Sequence, residues 1–266
     1  MENNFYLCTR KVPVMSTIAS RCTIKRRIWS SRVISATFLL PSPQEPPSCR
    51  PNDMKILIDN GHGIQTKGKR SPDGKLLEYA YTRELARQIV TTLKARGYDS
   101  ELLVPEDDDI PLSERVRRVN EICLTYEPSW PAPTGHPNVI LISLHLNAAG
   151  DGTKWMNATG WSCYTCKGQT ESDRLADCLY KAAEQILKNQ IIRTDYARDG
   201  DPDWEENFYI LRHSLCPAVL VEQFFMDNKK DLAYLISDEG KRNLIDVIVG
   251  GVNMLHTPKF QDFIKI

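Results

Sequence analysis

The chain has 266 residues, with 34 Lys+Arg balanced by 34 Asp+Glu and a hydrophobic share of 41%. The neutral balance argues against a protein built to coat nucleic acid, and the hydrophobic share excludes a disordered or fibrous chain. No uninterrupted apolar run approaches the roughly 20 residues of a membrane-spanning helix. The zero is a sum of unlike parts: residues 1–53 hold 8 Lys+Arg against 3 Asp+Glu, so the remainder is net acidic. Residues 41–51 carry five prolines in eleven positions, which cannot continue a helix or fill a central strand. Residues 1–53 therefore read as a disordered basic leader and Pro-rich linker. The apolar stretch Val33–Leu40 is broken by Ser35, follows Ser30, Ser31 and Arg32, and begins late for a secretory signal. Residues 54–266 read as one domain.

Met54–Asp59 is a short apolar run ending at Asn60-Gly61, as expected of a buried strand and its turn. Tyr81, Leu85, Ile89 and Leu93 recur four apart, placing one apolar stripe on a helix over Glu78–Arg96, with Gly97 as its stop. A strand is expected at Ser100–Val104, followed by a helix after Pro111 with Leu112, Val116, Val119 and Cys123 on one side. Val139–Leu144 is apolar throughout except Ser143, which suits a strand covered on both faces. Gly160–Thr165, Phe208–Leu211 and Ala218–Val221 are further expected strands, and Ser172–Lys188 and Gly240–Leu255 are expected helices. Strands alternating with helices predict an α/β fold: a single domain with a mostly parallel twisted sheet flanked by helices.

The eight cysteines form no metal or disulfide framework, since three fall in the leader and five remain. Cys163 and Cys166 have C-x-x-C spacing, but along a strand residues three apart face opposite ways, so both are expected to be structural. The loop after the first strand lacks the third glycine of a dinucleotide fingerprint, Thr66 standing there, and neither a P-loop nor a G-x-S-x-G elbow is present.

The ionisable residues at strand ends carry the functional signal. His62 follows the first strand, His145 ends Val139–Leu144, and Glu222 ends Ala218–Val221. Ligands of open α/β sheets bind beyond the carboxyl ends of strands, so these residues converge on one edge, and Glu78 at a helix start can join them. Two imidazoles and a carboxylate with an open fourth position make a hydrolytic zinc arrangement, as does a further glutamate beside it. His136, His213 and His256 have loop or helix-end settings that suit structural roles.

Five ordered segments carry a resemblance: ILIDNGHG, EYAYTRELA, LSERVRRVN, SLHLNA and PAVLVEQFFMDN. Together they resemble the amidase-3 type of zinc-dependent N-acetylmuramoyl-L-alanine amidase, over roughly residues 54–256. The resemblance implies the amidase-3 (phosphorylase/hydrolase-like) fold and one catalytic Zn²⁺ on His62, Glu78 and His145, with Glu222 as catalytic glutamate. It implies hydrolysis of the bond between N-acetylmuramic acid and L-alanine, on peptidoglycan glycan strand and stem peptide, at the bacterial cell wall. Neither nucleic acid nor a membrane span is expected, and a monomer is the favoured state. Asn60 stands where that family more often has proline, and Gln223-Phe224 where Leu-Gly is commoner, so Phe224 is expected to reshape the pocket wall. Asn147 is expected to hold the loop after His145 by its side chain, and Asn228 to cap the next helix. Trp155, Tyr196 and Trp204, with Asn147, are the candidate substrate contacts. A non-catalytic wall-binding module and a zinc carboxypeptidase or deacetylase are the alternatives.

Overall fold

The computed structural model describes residues 54–126 and 138–256. The expected leader and the loop bearing His136 lie outside those residues. Six strands form one sheet: β1 (Lys55–Asn60), β2 (Asp99–Leu102), β3 (Val139–Asn147), β4 (Ser162–Thr165), β5 (Trp204–Glu205) and β6 (Ala218–Phe225). Their spatial order is β2-β1-β3-β6-β4-β5. All neighbouring pairs are parallel except β4 with β6. The helices are α1 (Glu78–Ala95), α2 (Leu112–Thr125), α3 (Glu171–Ile186), α4 (Tyr209–His213), α5 (Lys229–Leu235) and α6 (Asp238–His256).

Strand alternation sorts two cores onto the two faces of the sheet. Ile56, Ile58, Ile140, Ile142, Val219 and Val221 pack with the apolar stripes of α1, α3 and α6. Leu57, Leu141 and Leu220 point the other way, onto Val116 and Val119 of α2 and onto Ile210 and Leu211 of α4. This two-sided burial is why β3 needs an apolar residue at nearly every position. Cys163 and Cys166 separate across the sheet as their spacing requires: Cys163 is in the first core, and Cys166 packs against the second.

Two segments depart from expectation. Phe208–Leu211 is not a strand; Tyr209–His213 forms α4, with Arg212 N–H donating to the Phe208 carbonyl at 3.0 Å. A four-residue apolar run carries too little periodicity to separate strand from helix, and β6 already has β3 and β4 on its two sides. Trp204–Glu205, outside every strand and helix expected from the sequence, pairs in parallel with Tyr164–Thr165 at the sheet edge.

The β3–β6 register slips just beyond His145, where His145 opposes Glu222 but Asn147 opposes Phe225. One extra residue on β6 makes a bulge, and Phe224 takes φ 70° there. That left-handed backbone favours glycine, which accounts for the commoner residue at this position. The Phe224 ring does not form the cavity wall that the sequence suggested. It is buried in the first core, edge-on to Tyr234 at 5.3 Å between centroids.

Candidate metal centre

Three elements deliver the donors. β1 ends at Asn60 and hands the chain to His62, α1 begins at Glu78, and His145 lies near the carboxyl end of β3. Glu78 Oε1 lies 3.3 Å from His62 Nε2 and 3.2 Å from His145 Nδ1. The two imidazole rings stand edge to face, 4.9 Å apart. One donor atom from each residue falls within 4.8 Å of the others, and no other such group occurs among the described residues. The Glu78 side chain is fully buried, and Leu146 N–H donates to its Oε1 at 3.0 Å. Its Oε2 is buried without a partner, which in a carboxylate so placed suits a cation.

Close approach is built into the backbone. A Cβ at Gly61 would meet the His145 ring at 2.3 Å, so only glycine lets β1 pass beneath that imidazole. His62 itself has φ 62°, an unfavourable setting for a residue with a side chain. Two buried guanidinium groups hold it there. Arg83 Nη2 and Arg115 Nη2 donate to the His62 carbonyl at 2.9 and 3.0 Å. Arg115 Nη1 also donates to Asp59 Oδ1 and to the Asn60 carbonyl, each at 2.6 Å, and Asp59 Oδ2 accepts from Ser143 Oγ. The sequence reading gave Arg115 no role and passed over Asp59 and Arg83. A signal was present: Arg115 stands three after Leu112 and four before Val119, on the apolar side of its helix.

Glu222 faces His145 across the β3–β6 ladder and lines the same cavity of about 610 Å³. Burial pushes its carboxyl up to about 7, against the pull of His145. Burial would raise Glu78 as well, but its bonds to His145 and His62 hold it well below the usual carboxylate range. Burial alone would lower His145, and Glu78 outweighs it, so the imidazole is raised. The rest of the cavity wall includes Lys69, Ile110, Leu112, Phe208 and Tyr209. Asn147, Trp155, Tyr196 and Trp204 are outside that lining. Asn147 Oδ1 instead accepts from Ala148 N–H at 2.9 Å, holding the turn after β3. Trp155 lies under Lys229, Trp204 under Arg193, and Tyr196 is exposed. His213 stacks on Tyr209, and Asn228 caps α5.

The model of the amidase-3 family, described as N-acetylmuramoyl-L-alanine amidase, matches residues 56–254, spanning every element from β1 to α6. The chain belongs to the amidase-3 family. The family relative AmiC of Neisseria meningitidis serogroup B is 26% identical over 215 residues, 74% of this chain and 51% of AmiC. This chain thus matches only about half of that relative's length. YqiI of Bacillus subtilis, an uncharacterised protein, is 23% identical over 86% of this chain and 97% of its own. The crystal structure of an N-acetylmuramoyl-L-alanine amidase from Clostridium difficile 630 superposes with a TM-score of 0.59 at 24% identity. It covers 76% of this chain and 96% of that one. Family membership and this likeness show the amidase-3 fold; among the described residues no helix is long and apolar enough to cross a membrane.

Proposed function

We propose that this chain hydrolyses the amide bond between N-acetylmuramic acid and the L-alanine of the peptidoglycan stem peptide, at the bacterial cell wall. The observation that carries the reading is the convergence of His62, Glu78 and His145 within 4.8 Å, the two histidines lining a cavity that Glu222 also lines. The donor set of two imidazoles and one carboxylate suits one zinc ion, and the orphaned Glu78 Oε2 fits the same demand. Bound there, zinc supplies a Lewis acid and lowers the pKa of a coordinated water to about 7.

The protein's own groups do the positioning and the proton transfer. Glu222 has an Oε2 with no hydrogen-bond partner, leaving it open to take a proton from the attacking water. The same carboxyl then returns that proton to the departing alanine nitrogen. The Arg83–Arg115 clamp keeps His62 oriented, and Gly61 leaves room for His145. Leu146 N–H fixes the Glu78 carboxylate, so none of the three donors must reorganise as substrate arrives.

The test is mass spectrometry of digested muropeptides, with zinc, after chelation, and with Glu222→Gln. Zinc-loaded protein should release an intact stem peptide from the glycan. Glu222→Gln should slow turnover by about 10²-fold or more while still binding one zinc per chain. Full activity in the variant or in the zinc-free chain sinks the mechanism; shortened peptides or deacetylated sugars sink the amidase reading itself.

A further inference from the structure

The loop between β1 and α1 presents three cations, Lys67, Lys69 and Arg70, all exposed. Among the described residues none of the three makes an ion pair with a carboxylate, whereas Lys55, Lys75 and Lys241 each do. Lys69 lines the cavity of the metal centre. It also lines a second cavity, of about 390 Å³, whose walls include Lys67, Arg70, Leu77 and Tyr79. The two cavities therefore meet at Lys69, and the second has a strongly basic wall.

The segment is tied down where it bears these charges. The Lys69 carbonyl accepts the N–H of the proposed ligand Glu78 at 3.0 Å. Arg70 and Leu77 form an antiparallel bridge, and Ser71 N–H donates to the Leu76 carbonyl at 2.9 Å. Lys69 and Arg70 thus sit on a pinned hairpin, with Lys67 two residues before it. Lys69 feels the Glu222 carboxyl across the metal cavity, but among the described residues no carboxylate contacts any of the three cations, so they repel one another and an anion laid among them relieves that repulsion. The metal cavity's wall is different in kind, because beside its charged members Asp59, Asp109, Arg115 and Glu222 it carries an apolar and aromatic surface from Ile110, Leu112, Phe208 and Tyr209.

We propose that Lys69, with Lys67 and Arg70 beyond it, is the specificity-determining subsite for free carboxylates on the peptide side of the scissile amide. N-acetylated sugars carry no charge and suit the aromatic wall, whereas a peptide with free carboxylates is anionic and suits the basic groove. The substrate then crosses the metal centre in one direction, glycan towards Phe208 and Tyr209, peptide over Lys69. The identity of the ligand rests on the amidase reading; the preference for a carboxylate rests on the three cations.

Binding of two peptides to the full chain tests this without recourse to turnover. One is L-alanyl-γ-D-glutamate with its α-carboxylate free; the other carries a carboxamide there. Calorimetry should give about fivefold tighter binding of the carboxylate, the yield of a solvent-accessible ion pair. Lys69→Met should bring the ratio of the two affinities towards one, and Lys69→Arg should keep it. Raising the salt should shrink the ratio in the parent protein. A ratio of one in the parent, or a ratio unaltered in Lys69→Met, overturns the proposal. A Lys69-dependent ratio in a protein that releases no stem peptide supports this subsite and counts against the amidase reading. Hydrolysis without carboxylate discrimination does the reverse.

Discussion

Among the described residues two non-glycine residues occupy backbone conformations that their side chains disfavour, and they do so for different reasons. His62, at φ 62°, carries a candidate metal donor and is held by two guanidinium groups. Phe224, at φ 70°, sits on the β6 bulge with its ring in the core. The left-handed backbone costs about 1–2 kcal/mol, whereas removing a buried phenylalanine ring costs about 3–5 kcal/mol. Packing wins that comparison. Phe224→Gly should therefore destabilise the fold by about 2 kcal/mol in urea denaturation, although it relieves the backbone. A variant more stable than the parent would show that strain outweighs the ring's contacts.

At the scale of elements, the joint between β1 and α2 sets the position of the candidate metal site. Arg115 of α2 makes four hydrogen bonds: three at the end of β1, to Asp59, Asn60 and His62 just beyond it, and one from Nε to the Ile110 carbonyl at 2.9 Å. Arg115→Met would leave Asp59 buried with Ser143 as its remaining partner, at a cost of about 3–5 kcal/mol. The same change should weaken zinc binding about 10–100-fold, because the His62 carbonyl loses one of its two donors. Adding Asp59→Asn should restore part of the stability, making the double variant milder than the sum of the singles. Chemical denaturation and competition titration of zinc give the two readouts. Additive losses would show that the Asp59–Arg115 pair is not a unit. The elements themselves were largely legible: the four-residue stripe of α1 and the unbroken apolar run of β3 each state their burial in the sequence. The segment forming α4 was not, because a short apolar run fits either a buried strand or a helix. With it went Phe208 and Tyr209, which line the metal cavity.

For the whole molecule, the acidic edge near β5 sets one term in the pH dependence of stability. Asp203 is 1% exposed, its Oδ2 accepts from Thr165 Oγ1, and its Oδ1 has no partner. Burial pushes this carboxyl up to about 8, with Asp201 and Asp173 adding to the effect. Burial likewise pushes Asp173 up to about 6. Between the ordinary value of 3.8 and about 8 the folded chain keeps a proton on Asp203 that the unfolded chain has released. Stability from this group is therefore greatest at the acid end of that window and lost as the pH rises through it. Asp203→Asn keeps the site neutral, so its melting temperature should exceed the parent's increasingly from pH 5 to pH 8. Each kcal/mol gained corresponds to about 2–4 °C. Parallel curves for the two proteins would mean that Asp203 is ionised throughout.

The sequence alone determined the class of fold and named the candidates for the site. Hydrophobic period separates strand from helix, and a strand that ends in histidine or glutamate must present that group at the carboxyl edge of the sheet. His62, Glu78, His145 and Glu222 were accordingly visible as a set. Only the tertiary structure decided how they are held. The Asp59–Arg115 pair, the double clamp on the His62 carbonyl, the clearance above Gly61 and the junction of two cavities at Lys69 all join residues distant in the chain. Local patterning encodes which face a side chain takes, but not which partner awaits it there; that depends on the register of β1, β3 and β6 and on the packing of α2 across them.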